Sequence, residues 1–162
     1  MSRYAKDTSV SVANSKAEIE RILERYGADQ FMSGWSVDRA IIGFTMGGRQ
    51  VRFVLPMPDR NSEEFTTYRR GSVPYEREES AAHKLWEQAC RQRWRALALV
   101  IKAKLEAVES EISVFEDEFM ANIVLPNGRT VSDEVRPRIA AAYDTGDMPN
   151  LLPDYSGEGD RG

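Results

Sequence analysis

The hydrophobic pattern of this chain changes period twice, and that predicts an α+β fold. The expected order is an N-terminal helix, a three-stranded antiparallel meander, a long helix packed on the sheet, and short C-terminal helices. Three observations carry the prediction. Apolar residues recur three and four apart at Ile19, Ile22, Leu23 and Tyr26; they then alternate between Gln30 and Leu55; a helical stripe resumes from Trp86 and runs to Ile112.

The first helix is expected to start at Ser15-Lys16-Ala17-Glu18, which has the form of a capping box. Gly27 sits where such a helix stops. Residues 1–14 then read as a flexible arm. In the next stretch Phe31, Ser33 and Trp35 alternate with Gln30, Met32 and Gly34, the period of a strand exposed on one side. Ala40 to Phe44 and Val51 to Leu55 follow as two more strands. Met46-Gly47-Gly48 lies between them, and its glycines can take the positive φ angles of a tight hairpin. Val51, Phe53 and Leu55 are expected to face the core, and Pro56 and Pro58 to end the sheet.

Residues 59–79 carry both signs of charge and little apolar periodicity, so they read as a long mobile loop. Ser80 is expected to open the longest helix. Its stripe is Trp86, Cys90, Trp94, Leu97, Ile101, Leu105, Val108 and Ile112, with Phe115, Phe119 and Ile123 extending it past a bend near Ser113. Pro126-Asn127-Gly128 marks a turn, and a shorter helix is expected from Pro137 to Tyr143 with the proline at its first position. Residues 15–153 thus form one domain, and residues 154–162 a disordered tail.

Composition narrows the classes of function. A hydrophobic fraction of 41% with 30% charged residues is that of a globular protein, and no apolar run approaches the ~20 residues that span a bilayer. The polar N-terminus lacks the apolar core of a secretion signal. A single cysteine, Cys90, allows no intrachain disulfide, as suits a reducing cytoplasm. The net charge of -4 argues against a general polyanion binder, whose affinity rests on cations meeting phosphates. A local basic patch is still compatible with it.

Signatures of catalysis are weak. His83 is the only histidine, so zinc motifs built on histidine pairs are excluded. Cys90 falls on the buried stripe and reads as a packing residue; it lies two helical turns from His83, about 10 Å, too far for a Cys–His dyad. No phosphate-binding loop of the form G-x-x-x-x-G-K-[ST] occurs. The acidic cluster Glu111, Glu116, Asp117 and Glu118 reads as a solvated face rather than a magnesium site. No cofactor or metal is therefore expected, and the chain reads as non-enzymatic, a metal-dependent nuclease being the third choice.

Charge on the long helix is more informative. From Lys84 to Lys104 it carries Lys84, Arg91, Arg93, Arg95, Lys102 and Lys104 against Glu87 alone. From Glu106 to Glu118 every charge is negative. At 100° per residue, Lys84, Gln88, Arg91, Arg95, Lys102, Glu106 and Glu109 share one narrow stripe. Segregation of sign along one face points to an oriented partner, since a solvated face more often mixes Glu with Lys one turn apart.

The wording SVSVANSKAEIERILERYGADQF, RQVRFVLPMPDRNSEEF, EQACRQRWRALALVIKAKLEAVES and SVFEDEFMANIVLPNGRTV resembles a family of small proteins carried by bacterial prophages, phages and plasmids. The resemblance covers nearly the whole chain apart from residues 66–79 and the last few. It implies a bacterial cytoplasm and a mobile-element role, either in phage DNA metabolism or in counter-defence. It supplies no catalytic residue. The β-β-β-α order also looks like the kernel of phage single-strand annealing proteins, an analogy of fold alone.

Two functions follow as expectations. In the first, the protein binds nucleic acid, single strands favoured, with Lys84, Arg91, Arg95 and Lys102 on phosphates and Tyr68, Arg69 and Arg70 as a clamp. In the second, it is an inhibitor or regulator that binds a host protein complex. Glu106, Glu109, Glu111 and Glu116 would serve that partner, or a second copy in a homodimer whose basic and acidic halves pair.

Overall fold

The computed structural model describes the backbone of residues 3–153 and the side chains from residue 12 onward. Helix α1 spans Arg3–Arg25. Its start corrects the expected one: no Gly or Pro lies between Arg3 and Lys16 to stop the helix, so Ser15 and Glu18 are inside it rather than at its cap. Its end is as expected. Gly27 takes φ +95°, Ala28 N–H donates to the Leu23 carbonyl at 2.9 Å and Gly27 N–H to that of Glu24 at 3.1 Å, a Schellman motif.

Strands β1 (Gln30–Trp35), β2 (Arg39–Met46) and β3 (Arg49–Pro56) form an antiparallel meander in that order. Gly47 and Gly48, at φ +57° and +72°, close the β2–β3 hairpin. The register pairs Phe31 with Phe44, Phe44 with Val51, and Ile42 with Phe53, which places these side chains on one face. That face is the core side, where Ala40, Ile42, Phe44, Val51 and Phe53 are buried. Trp35 shares it by alternation yet is 77% exposed at the end of the sheet. The outer edge of β3 is covered by a later segment, with Val124 N–H donating to the Gln50 carbonyl at 2.8 Å.

The expected loop at 59–79 contains regular structure. A single helical turn, α2 (Glu63–Thr66), leads into a hairpin of β4 (Thr67–Arg70) and β5 (Val73–Glu76). Ser62 caps α2 and Phe65 is buried beneath it. Strands of four residues are too short to show a period, which is why the hairpin was illegible.

Helix α3 (Glu79–Glu109) is the spine. Trp94, Leu97, Ala98, Ile101 and Leu105 are buried against α1 and the sheet, Cys90 is buried one turn before Trp94, and Lys16 of α1 holds its ammonium 5.1 Å above the Trp94 ring. Ile112 breaks the expected stripe and is 83% exposed. The helix ends before it, because Glu111 adopts a left-handed φ of +62° and turns the chain away. Helix α4 (Phe115–Phe119) then returns Phe119 to the core, its ring edge-on to Phe44 at 5.7 Å and to Phe53 at 6.3 Å.

Helix α5 (Val131–Thr145) is longer than expected. It starts at a capping box in which Asp133 N–H donates to Thr130 Oγ1 and Thr130 N–H to the Asp133 carboxylate. Those bonds from Thr130 hold the Asp133 carboxyl below the usual range. Pro137 lies inside the helix, not at its first position. Lacking an N–H, it leaves the Asp133 carbonyl without its helical donor, and Arg129 Nη2 fills that place at 3.1 Å.

Candidate nucleic-acid interface

The β4–β5 hairpin turns at Gly71, where φ is +62°, and projects from the N-terminal end of α3. Its register sets Tyr68 directly opposite Tyr75. The two rings stack, with centroids 5.6 Å apart and planes 22° from parallel. Arg70 lies 6.0 Å from each ring and Arg77 lies 5.7 Å from Tyr68, so the aromatic pair is flanked by guanidinium groups. Between Thr67 and Tyr75 the hairpin bears Arg69 and Arg70 and no carboxylate. Arg69, Arg70 and Tyr75 are exposed. This small apron is positive within a chain that is negative overall.

Side-chain hydrogen bonds fasten the base of the hairpin to α2, and the segment before α2 to α3. Arg77 donates through Nε to the Phe65 carbonyl at 2.9 Å and through Nη2 to the Thr67 carbonyl at 3.1 Å. On the other side, Trp86 Nε1 donates to the Pro58 carbonyl at 2.8 Å, and the Arg60 guanidinium lies 5.2 Å from the Trp86 ring. Arg60 Nη2 also donates to His83 Nδ1 at 2.8 Å. Since Nδ1 accepts, the ring proton sits on Nε2, which faces Glu87 Oε1 at 2.8 Å. That contact is close but not an aligned hydrogen bond, and Glu87 is buried. A cleft of about 530 Å³ opens between hairpin and helix, lined by Arg60, Thr67, Arg77 and His83 among others.

The structure gathers Tyr68 and Arg70 into one cluster with Arg69 on its rim, and adds Tyr75 and Arg77, which the sequence reading passed over. The one cue to Tyr75 is short, TYRR and VPYE flanking a Gly-Ser turn with the two tyrosines at matched distance, and nothing comparable marks Arg77. The helix cations are not drawn into this cluster. Lys84 lies in the first turns of α3, whereas Arg91 and Lys102 stand about 18 Å and about 35 Å beyond Glu79 along the axis. Arg95 lies between them. Among the acids, Glu106 and Glu109 lie on the last turns of α3, and Glu111 is in the turn that follows. Glu116 is paired with Arg49 at 3.1 Å and Glu118 with Lys104 at 3.4 Å, so the acidic cluster is partly neutralised within the chain.

Cys90 is sealed in the core, and burial together with the nearby Glu87 carboxylate pushes its thiol pKa up. It is placed as a packing residue. Among the described residues, no cluster of three His, Cys, Asp or Glu side chains could hold a metal ion, and no helix is long and apolar enough to cross a membrane. No family model, curated protein or solved structure matches the chain.

Proposed function

We propose that this protein binds single-stranded nucleic acid without processing it, through the β4–β5 hairpin. One observation carries the reading: a cross-strand tyrosine pair, flanked by arginines, on a hairpin whose tip from Thr67 to Tyr75 bears no carboxylate. Aromatic faces stack on any unpaired base, and guanidinium groups beside them meet phosphates or bases. A duplex, with its bases stacked and paired, offers no open base faces to such a pair. The negative remainder of the chain limits the contact to a few phosphates and suits an accessory role rather than general coating.

Fluorescence anisotropy with labelled single-stranded and duplex oligonucleotides tests this at about 50 mM salt. Single strands should bind more tightly than duplex. Tyr75→Ala should cost about 1–3 kcal/mol, the range for one base stacked on an aromatic ring. Arg69→Ala with Arg70→Ala should weaken binding and flatten its dependence on salt. No measurable binding to any oligonucleotide at that salt would end the proposal.

A further inference from the structure

Helix α3 has a second apolar surface that the fold leaves uncovered. Ala96, Leu99 and Ala103 lie within about 60° of arc on the side away from Trp94, with Val100 beside them. Leu99 is 62% exposed and Val100 45%. One flank of this seam is the charged stripe: Arg91, Arg95 and Lys102 come first along the helix, then Glu106 and Glu109. None of the five enters an ion pair among the described residues, not even Lys102 with Glu106 one turn on. At the acidic end an open groove of about 530 Å³ is floored by Tyr26, Ala103, Ala107 and Ile112 and rimmed by Glu106 and Glu109.

We infer that this face receives a second copy of the chain, its α3 running antiparallel about a twofold axis near Val100. The charge pattern chooses the occupant. In an antiparallel helix pair the same flank of each helix meets its equivalent, so the two stripes lie against each other in reverse order. With the axis at Val100, Arg91 comes level with Glu109 of the second copy and Arg95 with Glu106 of the second copy. Each pair occurs twice. The small side chains of Ala96 and Ala103 let the helices approach closely, while Leu99 fills the seam at its centre. The basic half of each helix then covers the acidic-rimmed groove of the other. A parallel pair would instead turn the charged stripe of each helix toward the opposite flank of the other, so that Arg91 and Arg95 would not face Glu109 and Glu106. The surface is separate from the hairpin, so this inference stands apart from the nucleic-acid reading.

Sedimentation equilibrium of the full chain from micromolar to millimolar concentration tests it. The protein should dimerise. Leu99→Glu should abolish the dimer while circular dichroism stays unchanged, because Leu99 makes no core contact. Arg95→Glu should raise the dimer Kd by about tenfold, and the reversed pair Arg95→Glu with Glu106→Arg should restore it. Leu99→Cys, close to the axis, should cross-link to itself on oxidation, whereas Gln88→Cys, far from the axis, should not. The inference fails if the wild-type chain stays monomeric throughout, if its dimer ignores Leu99→Glu, or if the reversed pair is no better than Arg95→Glu alone.

Discussion

The two faces of α3 share a helix, a composition and a turn-by-turn spacing, yet they have opposite fates. Trp94, Ile101 and Leu105 are sealed between α1 and the sheet, whereas Leu99 and Val100, in the intervening turns, stand in solvent. From Trp94 to Leu105 the buried face carries no charge, whereas a stripe of cations and then acids runs beside the second. Apolar character alone therefore does not say what a residue of this helix does. Position around the axis does: one face supports the fold, and the other is available for docking.

The largest effect that could break this distinction is on stability. Ile101→Ala removes a fully buried side chain and should cost about 2–5 kcal/mol in chemical denaturation, by lost transfer energy and the cavity left behind. Leu99→Ala, on the outer face, should change the stability of the monomer by no more than about 0.5 kcal/mol. Comparable losses from the two substitutions would show that the outer face is also part of the core. The buried stripe was legible from spacing alone, because periodicity reports which side of a helix is covered.

A smaller effect concerns the N-terminal third of α3, where the inner face turns polar. Glu87 falls one turn before Cys90 and Arg91 but on the covered side, and it is buried with His83 at 2.8 Å. His83→Ala should cost about 2–3 kcal/mol, less than the ~3–5 kcal/mol for breaking a fully buried pair, since the imidazole is partly exposed. Adding Glu87→Leu should recover most of that loss by removing the stranded carboxylate. If the double substitution is as unstable as the sum of the two singles, Glu87 is held by something other than His83.

What could be read from residues, and what could not, follows from the length scale of each signal. Long periodic segments such as α3 and the β2–β3 hairpin with its Gly47-Gly48 turn announce themselves, because each repeat reinforces the last. The β4–β5 hairpin has four residues per strand and no repeat to reinforce, so Tyr68 and Arg70 were visible but their partners Tyr75 and Arg77 were not. The Arg60–His83–Glu87 chain joins residues brought together only by packing, with Arg60 coming from the segment before α2. The helix cations were visible as a stripe, but only three dimensions show that they run away from the hairpin rather than toward it.

The smallest effect falls where the two faces of α3 end. Were the helix to continue past Glu109, Ile112 would lie at the same angle as Trp94 and belong to the buried stripe. Glu111 prevents this by taking a left-handed φ of +62°, and Ser113 N–H donates back to the Ala107 carbonyl at 3.1 Å to fasten the turn. A side chain in that conformation carries a steric cost that glycine lacks. Glu111→Gly should therefore stabilise the fold by about 0.5–1 kcal/mol, the gain from relieved strain outweighing the greater freedom of the unfolded chain. Thermal unfolding at matched pH measures it. A loss instead of a gain would mean that the Glu111 side chain itself holds the turn, and that α3 is terminated by a contact rather than by backbone geometry.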